Sequence, residues 1–181
     1  MTLKSTLIST KRRGQIRGLF YPPTRQLKGL FCMLEISSAG LALIKKYEGC
    51  RLTAYKCPAG VWTIGYGHTE GVQEGDEIIQ AEADALLQLD ASSAMGSVDQ
   101  LVRVPLKQCQ ADALASFVFN LGHGALKSST LLRKLNAGDY EGASHEITRW
   151  DKATVKGQLV QVRGLTLRRS AEQYLFNGNN R

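Results

Sequence analysis

After Ser37 the spacing of apolar residues changes several times, and each change marks an element. "SSAGLALIKKYEG" carries apolar residues at 41, 44 and 47, which line one face of a helix. A serine at its start offers an N-cap oxygen, and Gly49 offers a stop, so one amphipathic helix is expected. The period then drops to two. "RLTAYKC" and "VWTIGYG" read as strands around the turn "PAG", which predicts a β-hairpin. Residues 80–101 return to helical spacing over a long stretch. Pro105 then precedes "LKQCQADALASFVFNLG", a helical run apolar enough to be buried. "SSTLLRKLNAG", "DYEGASHEITRW" and "GLTLRRSAEQYLF" are shorter helical pieces, with Gly and Asp as stop and start between the first two. No internal repeat or low-complexity tract interrupts them. The expected architecture is α+β and mainly helical: a small lobe with one hairpin, a long connecting helix, and a helical second lobe.

Composition adds a boundary. The 181 residues, 43% hydrophobic and 22% charged, fit one globular domain. The net charge of +7 is unevenly placed, because residues 1–34 hold seven basic side chains and no acidic one. Residues 35–100 hold 4 basic and 10 acidic groups (net −6), and residues 101–181 hold 12 basic and 6 acidic (net +6). The domains read as 1–34, a basic extension that is disordered or peripheral, and 35–181, the folded body. "YPPT" breaks any helix in the extension. Its acid-free composition suits a targeting or membrane-surface segment, or more simply an upstream stretch with Met33 as the natural beginning of the folded part. The basic second half suits an anionic polymer, or equally an internal interface with the acidic half.

Charge and cysteine usage narrow the function classes. Cys32, Cys50, Cys57 and Cys109 show no CxxC and no zinc spacing with the three histidines. Reduced thiols in a cytosolic product are expected, with no metal and no cofactor. No apolar run approaches the roughly 18 residues of a membrane span, and "GLFCML" is too short for a signal-peptide core. No nucleic-acid-binding motif accompanies the basic residues.

Two places carry candidate chemistry. Glu48 lies seven and four residues after Leu41 and Ile44, on the same stripe and in the last helical turn. Apolar neighbours and the negative helix end both disfavour a charged carboxylate, and a carboxyl kept neutral is what a general acid needs. The plainer reading is a solvated glutamate at a fraying end. The hairpin bears on that choice. With Pro58, Ala59 and Gly60 as a three-residue loop, Cys57 faces Val61 and Tyr55 faces Thr63. Residues 55, 57, 61 and 63 then share one face, while Trp62, Ile64 and Tyr66 pack on the other. A thiol and a hydroxyl on one face, opposite a protonated acid, form a cradle for one water.

Glu48, eight residues, Cys57, five residues, Thr63 resembles the Glu-x8-(Asp or Cys)-x5-Thr pattern of the phage-type lysozymes, endolysins that cleave bacterial peptidoglycan. "LIKKYEGCRLTAYKCPAGVWTIGYGHT", "ALASFVFNLGHGAL", "STLLRKLNAGDYEGA" and "RW" extend the resemblance over about residues 36–176, leaving the extension outside it. It implies a two-lobed fold, a lysozyme-like catalytic domain over 35–181, and a glycan lying between the lobes. By that resemblance Glu48 is the general acid, Cys57 takes the place of the Asp that supports the attacking water, and Thr63 positions it. Cys57 acts as a weak base or only as a hydrogen-bond partner. His68 braces the small lobe. Thr69 lies beside the sugar subsites, Phe119 and Asn120 form the opposite wall, and "GLTLRR" brings Arg168 or Arg169 near the cleft. Inversion is expected on the same ground.

The implied activity is hydrolysis of the β-1,4 bond between N-acetylmuramic acid and N-acetylglucosamine, for host lysis. The partner is the peptidoglycan glycan strand, with no nucleic acid and no stable membrane insertion, and a monomer is expected. The enzyme would accumulate in the host cytoplasm and act on the periplasmic wall once the membrane is permeabilised. Two alternatives remain at this level. A lytic transglycosylase needs one acid/base carboxyl and leaves 1,6-anhydro ends. A non-catalytic module would bind anionic polymers through the basic residues. Elsewhere, Cys109, Tyr140 and Trp150 read as packing residues, His123 and His145 lack ligand partners, and a Cys50–Cys57 disulfide is not demanded by the spacing.

Overall fold

The computed structural model describes residues 34–155 and 157–179. The expectations for the basic extension and for Cys32 fall outside the described residues, apart from Leu34. The elements in order are α1 (Ser38–Glu48), β1 (Arg51–Lys56), β2 (Trp62–Gly65), α2 (Gln80–Leu101), α3 (Gln108–Leu121), α4 (His123–Lys127), α5 (Thr130–Asn136), α6 (Tyr140–Ile147), β3 (Lys152–Val155), β4 (Gln158–Gln161) and α7 (Arg163–Phe176). The fold is mainly helical α+β, as the periodicity predicts.

α1 begins where Ser37 accepts hydrogen bonds from the N–H groups of Ala39 and Gly40. It ends at Gly49, whose φ of 69° few other residues adopt. Asp112 of α3 fixes its entry by accepting from the Ser37 N–H at 2.9 Å and the Ser37 hydroxyl at 2.6 Å. The helices meet closely at Gly40, where a Cβ would stand 2.8 Å from Ile36 and 2.9 Å from the Asp112 carboxylate. Only glycine fits that contact.

α3 is the central helix, packed against α1, α2, α4 and α7. Every residue from Gln110 to Val118 is buried, so its apolar circumference is matched by neighbours on all sides. Leu114, Phe117, Leu87, Val98, Leu126, Leu131, Leu135 and Ile147 are wholly enclosed, each contributing about 1.5–3 kcal/mol of transfer free energy. Trp150 meets Phe117 edge to face at 5.4 Å, and Tyr140 donates its hydroxyl to the Pro105 carbonyl at 2.7 Å. Cys109 is half-buried against the core.

The first hairpin has the expected register. Tyr55 pairs with Thr63 and Lys56 with Trp62, and the Cys57 N–H donates to the Val61 carbonyl at 2.9 Å. The loop closes through the Gly60 N–H on the Cys57 carbonyl at 2.8 Å, with Gly60 at φ 79°. Ile64 and Tyr66 are buried, and β2 packs on α2.

One expectation is corrected. The chain has two hairpins among the described residues, not one: β3 pairs antiparallel with β4 from Lys152–Gln161 to Val155–Gln158. Every residue of β4 is exposed, so no buried stripe announces it. Asp151 holds its base, accepting from Gln161 Nε2 at 2.5 Å and from the Thr166 hydroxyl at 3.3 Å, while its carbonyl accepts from the Val162 N–H at 2.9 Å.

Candidate functional site

Glu48 closes α1 with its side chain 22% exposed. Ile44, one turn earlier, is fully buried, so the stripe runs into the core as expected. The carboxylate itself departs from the expectation of oily shielding. Oε1 accepts a hydrogen bond from Nη1 of Arg168 at 2.5 Å. The partner comes from α7, 120 positions along the chain, where helix spacing within α1 gives no hint of it.

Arg168 is 3% exposed and spends every donor group on protein. Its Nε donates to Glu172 Oε1 at 3.2 Å, and its Nη2 donates to the Ser116 carbonyl at 3.2 Å. Tyr47 lies beside the guanidinium at 5.9 Å and donates its hydroxyl to the Leu167 carbonyl at 3.0 Å. Glu172, fully enclosed, also accepts from the Ser116 hydroxyl at 2.8 Å and from Arg169 Nη2 at 2.9 Å. Arg169 Nε stands 2.8 Å from the second carboxylate oxygen, too far off line for a hydrogen bond but close enough for an ion pair. Burial pushes the Glu172 carboxyl up from the ordinary carboxylate range, and Arg169, Arg168 and the Ser116 hydroxyl oppose that push. Burial likewise pushes the Arg169 guanidinium down, against the pull of Glu172.

Cys57 and Thr63 come together on the hairpin. Thr63 is buried and Cys57 half-buried. The backbone N–H of Val61, then that of Ala59, holds the Cys57 thiol below its ordinary value, and the Thr63 hydroxyl adds to this. That hydroxyl also donates to the Val61 carbonyl at 3.0 Å. One hydrogen serves one acceptor at a time, so Thr63 is able to turn between the carbonyl and a thiolate. Cys50, Cys57 and Cys109 are all free thiols.

The residues expected at the sugar walls divide. Thr69 and Phe119 line one groove of about 420 Å³, together with Glu70, Asp90, Ser97 and His123. Asn120 is not in that lining; its side-chain oxygen accepts from Arg169 Nη2 at 3.0 Å. His68 joins the turn after β2 to α2, with Nδ1 2.9 Å from Asp90 and Nε2 3.1 Å from the Glu70 carbonyl. Two cavities of about 540 and 560 Å³ lie elsewhere, near Tyr140 and Phe176 and near Leu43 and Tyr174. Neither is lined by a candidate residue. Among the described residues no group of three or more His, Cys, Asp or Glu is placed to hold a metal, and no helix is long and apolar enough to cross a membrane.

Sequence reasoning missed Glu172 and Ser116, and Asp90 as the partner of His68. The spacing of Arg168, Arg169 and Glu172 at i+4 and i+3 was visible as a helical ion-pair signal. Nothing local showed that it would be buried.

The chain is similar to known proteins. The phage lysozyme family model matches residues 45–172, from the last turn of α1 to Glu172. The endolysin of Acyrthosiphon pisum secondary endosymbiont phage 1 is 50% identical over 143 residues, 79% of this chain and 98% of the relative. The muramidase domain of SpmX from Asticaccaulis excentricus superposes with a TM-score of 0.75 at 42% identity, over 78% of this chain and 97% of that one. A P22 lysozyme mutant superposes at 0.70 with 38% identity, over 80% and 99%. The chain belongs to the phage lysozyme family: it is a lysozyme-type glycoside hydrolase, an endolysin acting on peptidoglycan in host lysis.

Proposed function

We propose that the domain over 35–181 cleaves the β-1,4 bond between N-acetylmuramic acid and N-acetylglucosamine by a single displacement. Glu48 donates its proton to the leaving glycosidic oxygen. Cys57 and Thr63 hold the attacking water on the other face of the sugar, and the thiolate, where formed, takes its proton. Thr69 and Phe119 contact the glycan from the groove that they line, and Asn120, outside that lining, is held by Arg169. The observation that carries this reading is the pairing on one hairpin face. Cys57 lies next to Thr63, and backbone N–H groups favour the thiolate.

Arg168 fixes where the acid points, with its Nη1 donating to Glu48 Oε1 at 2.5 Å. Glu48→Gln tests the assignment: lysis of chloroform-treated Gram-negative cells should disappear while the far-ultraviolet circular dichroism is retained. Substantial lysis by that variant would remove Glu48 from the mechanism.

The route follows from the same reading. The enzyme accumulates in the host cytoplasm and meets the periplasmic wall after another factor permeabilises the membrane. Cell fractionation before lysis checks this, with activity expected in the cytoplasmic fraction.

A further inference from the structure

Behind Glu48 lies a charged cluster that proton donation does not itself require. Glu172 is fully enclosed, and so is Arg169; Arg168 is 3% exposed. Three donors converge on one oxygen, Glu172 Oε1: the Ser116 hydroxyl at 2.8 Å, Arg169 Nη2 at 2.9 Å and Arg168 Nε at 3.2 Å. An oxygen that accepts three donors, two of them cationic, is arranged as the acceptor of a carboxylate.

The two arginines leave this oxygen in different directions. Arg168 reaches Glu48, and Arg169 reaches Asn120 at 3.0 Å. One buried carboxyl therefore stands behind both the candidate acid and a candidate wall residue. Sequence separation makes the point sharper. Glu48, Asn120 and Glu172 come from α1, α3 and α7, and Ser116 adds a second tie from α3. A cluster serving only to fasten α7 to α3 would have no need to extend to Glu48.

We propose that Glu172 is a positioning residue, which orients Glu48 through Arg168 and Asn120 through Arg169. This rests on the reading of Glu48 as the acid. Burying two guanidiniums and a carboxylate is costly unless each is paired, which is why such groups are often replaceable by apolar ones when nothing but stability is at stake. Here the fixed guanidinium limits where the Glu48 carboxyl can point, and its charge is shared between two carboxyls. Loss of the Glu172 charge leaves Arg168 answering to Glu48 alone. The charged and titratable groups that face the cluster are Glu48 and Tyr47 from α1 and the two arginines of α7, with Ser116 and Asn120 from α3 as neutral partners.

The experiment compares the parent with Glu172→Gln, a variant of the same shape without the charge, by kcat and KM on soluble peptidoglycan fragments across pH. The expected result is a fall in kcat of about tenfold or more, as misplacement of a reacting group produces. The alkaline limb of the pH profile should also be displaced, because Arg168 is no longer shared between two carboxyls. KM should rise in the same variant through the loosened Asn120. A merely structural glutamate would lower the melting temperature and leave the pH limb of the folded fraction in place, which overturns the proposal. Should Glu172→Gln not fold, Arg168→Lys is measured instead. It keeps a charge but cannot bridge both carboxyls, and parental kcat there would equally overturn the proposal. Glu48→Gln in parallel separates the two claims. An active Glu48→Gln defeats the acid assignment, whereas an inactive one beside a parental Glu172→Gln defeats only the positioning role.

Discussion

Glu48 and Cys57 are held by opposite means. Glu48 ends a helix, and the group that meets it arrives from α7, itself fixed among buried charges. Cys57 sits at the mouth of a three-residue loop, and everything that acts on it lies within six positions: the N–H groups of Ala59 and Val61 and the Thr63 hydroxyl. The acid depends on side chains that must be packed before they pair. The thiol depends on backbone groups that exist as soon as the hairpin closes. Substitutions should therefore damage the first region through folding and electrostatics together, and the second through chemistry alone.

The largest expected effect is in the acid. Glu48→Gln should lower the rate of wall lysis by about 10³-fold, within the range of general acid catalysis, and lower the melting temperature as well, because the buried Arg168 loses a charged partner. Next comes its support. Arg168→Met leaves the buried Glu172 facing one guanidinium instead of two, and denaturant titration should show a loss of about 3–5 kcal/mol. At the hairpin, Cys57→Ala should cost about 10²-fold in kcat without moving the melting temperature, whereas Cys57→Asp should stay active. Equal activity of Cys57→Ala and the parent would make the thiol a bystander.

Smaller effects sharpen the contrast. His68→Ala removes the link to Asp90 and should cost about 1.5 kcal/mol in denaturant titration, since that partner is charged and only partly exposed. Thr63→Val should lower kcat, because a hydroxyl that holds the water is lost, and should shift the pH profile's acid side. The thiol is held below its ordinary value partly by Thr63, so losing that donor lets it rise. Activity that depends on thiolate is gained as pH climbs through the thiol's pKa, so the acid limb should move to higher pH. An unmoved limb would mean that the thiolate is not the working form.

The same contrast governs what could be read from the chain. The α1 caps, the Tyr55–Thr63 register and the whole of α2 are set by residues close in sequence, and the periodicity predicted them. Ser37 announced the start of α1, but its anchor Asp112, 75 positions away, left no trace. The second hairpin was missed because its strands pack on no core; Asp151 stabilises it through contacts with Gln161 and Thr166. α4 spans five residues, too few for a period to show. At the candidate site, Glu48, Cys57 and Thr63 were legible by spacing, and Thr69 and Phe119 by resemblance. The resemblance brought Arg168 or Arg169 near the cleft, but the pairing of Arg168 with Glu48 was not legible, because tertiary packing replaced the oily surroundings that the helix of Glu48 implied.

The most direct test of the central claim, an acid on one side of the sugar and held water on the other, is the configuration of the first product. Proton NMR of muropeptide cleavage should show the α anomer of the new muramic acid end accumulating before mutarotation. An initial β anomer would place a nucleophile where water is proposed, and 1,6-anhydro ends would exclude water from the reaction altogether.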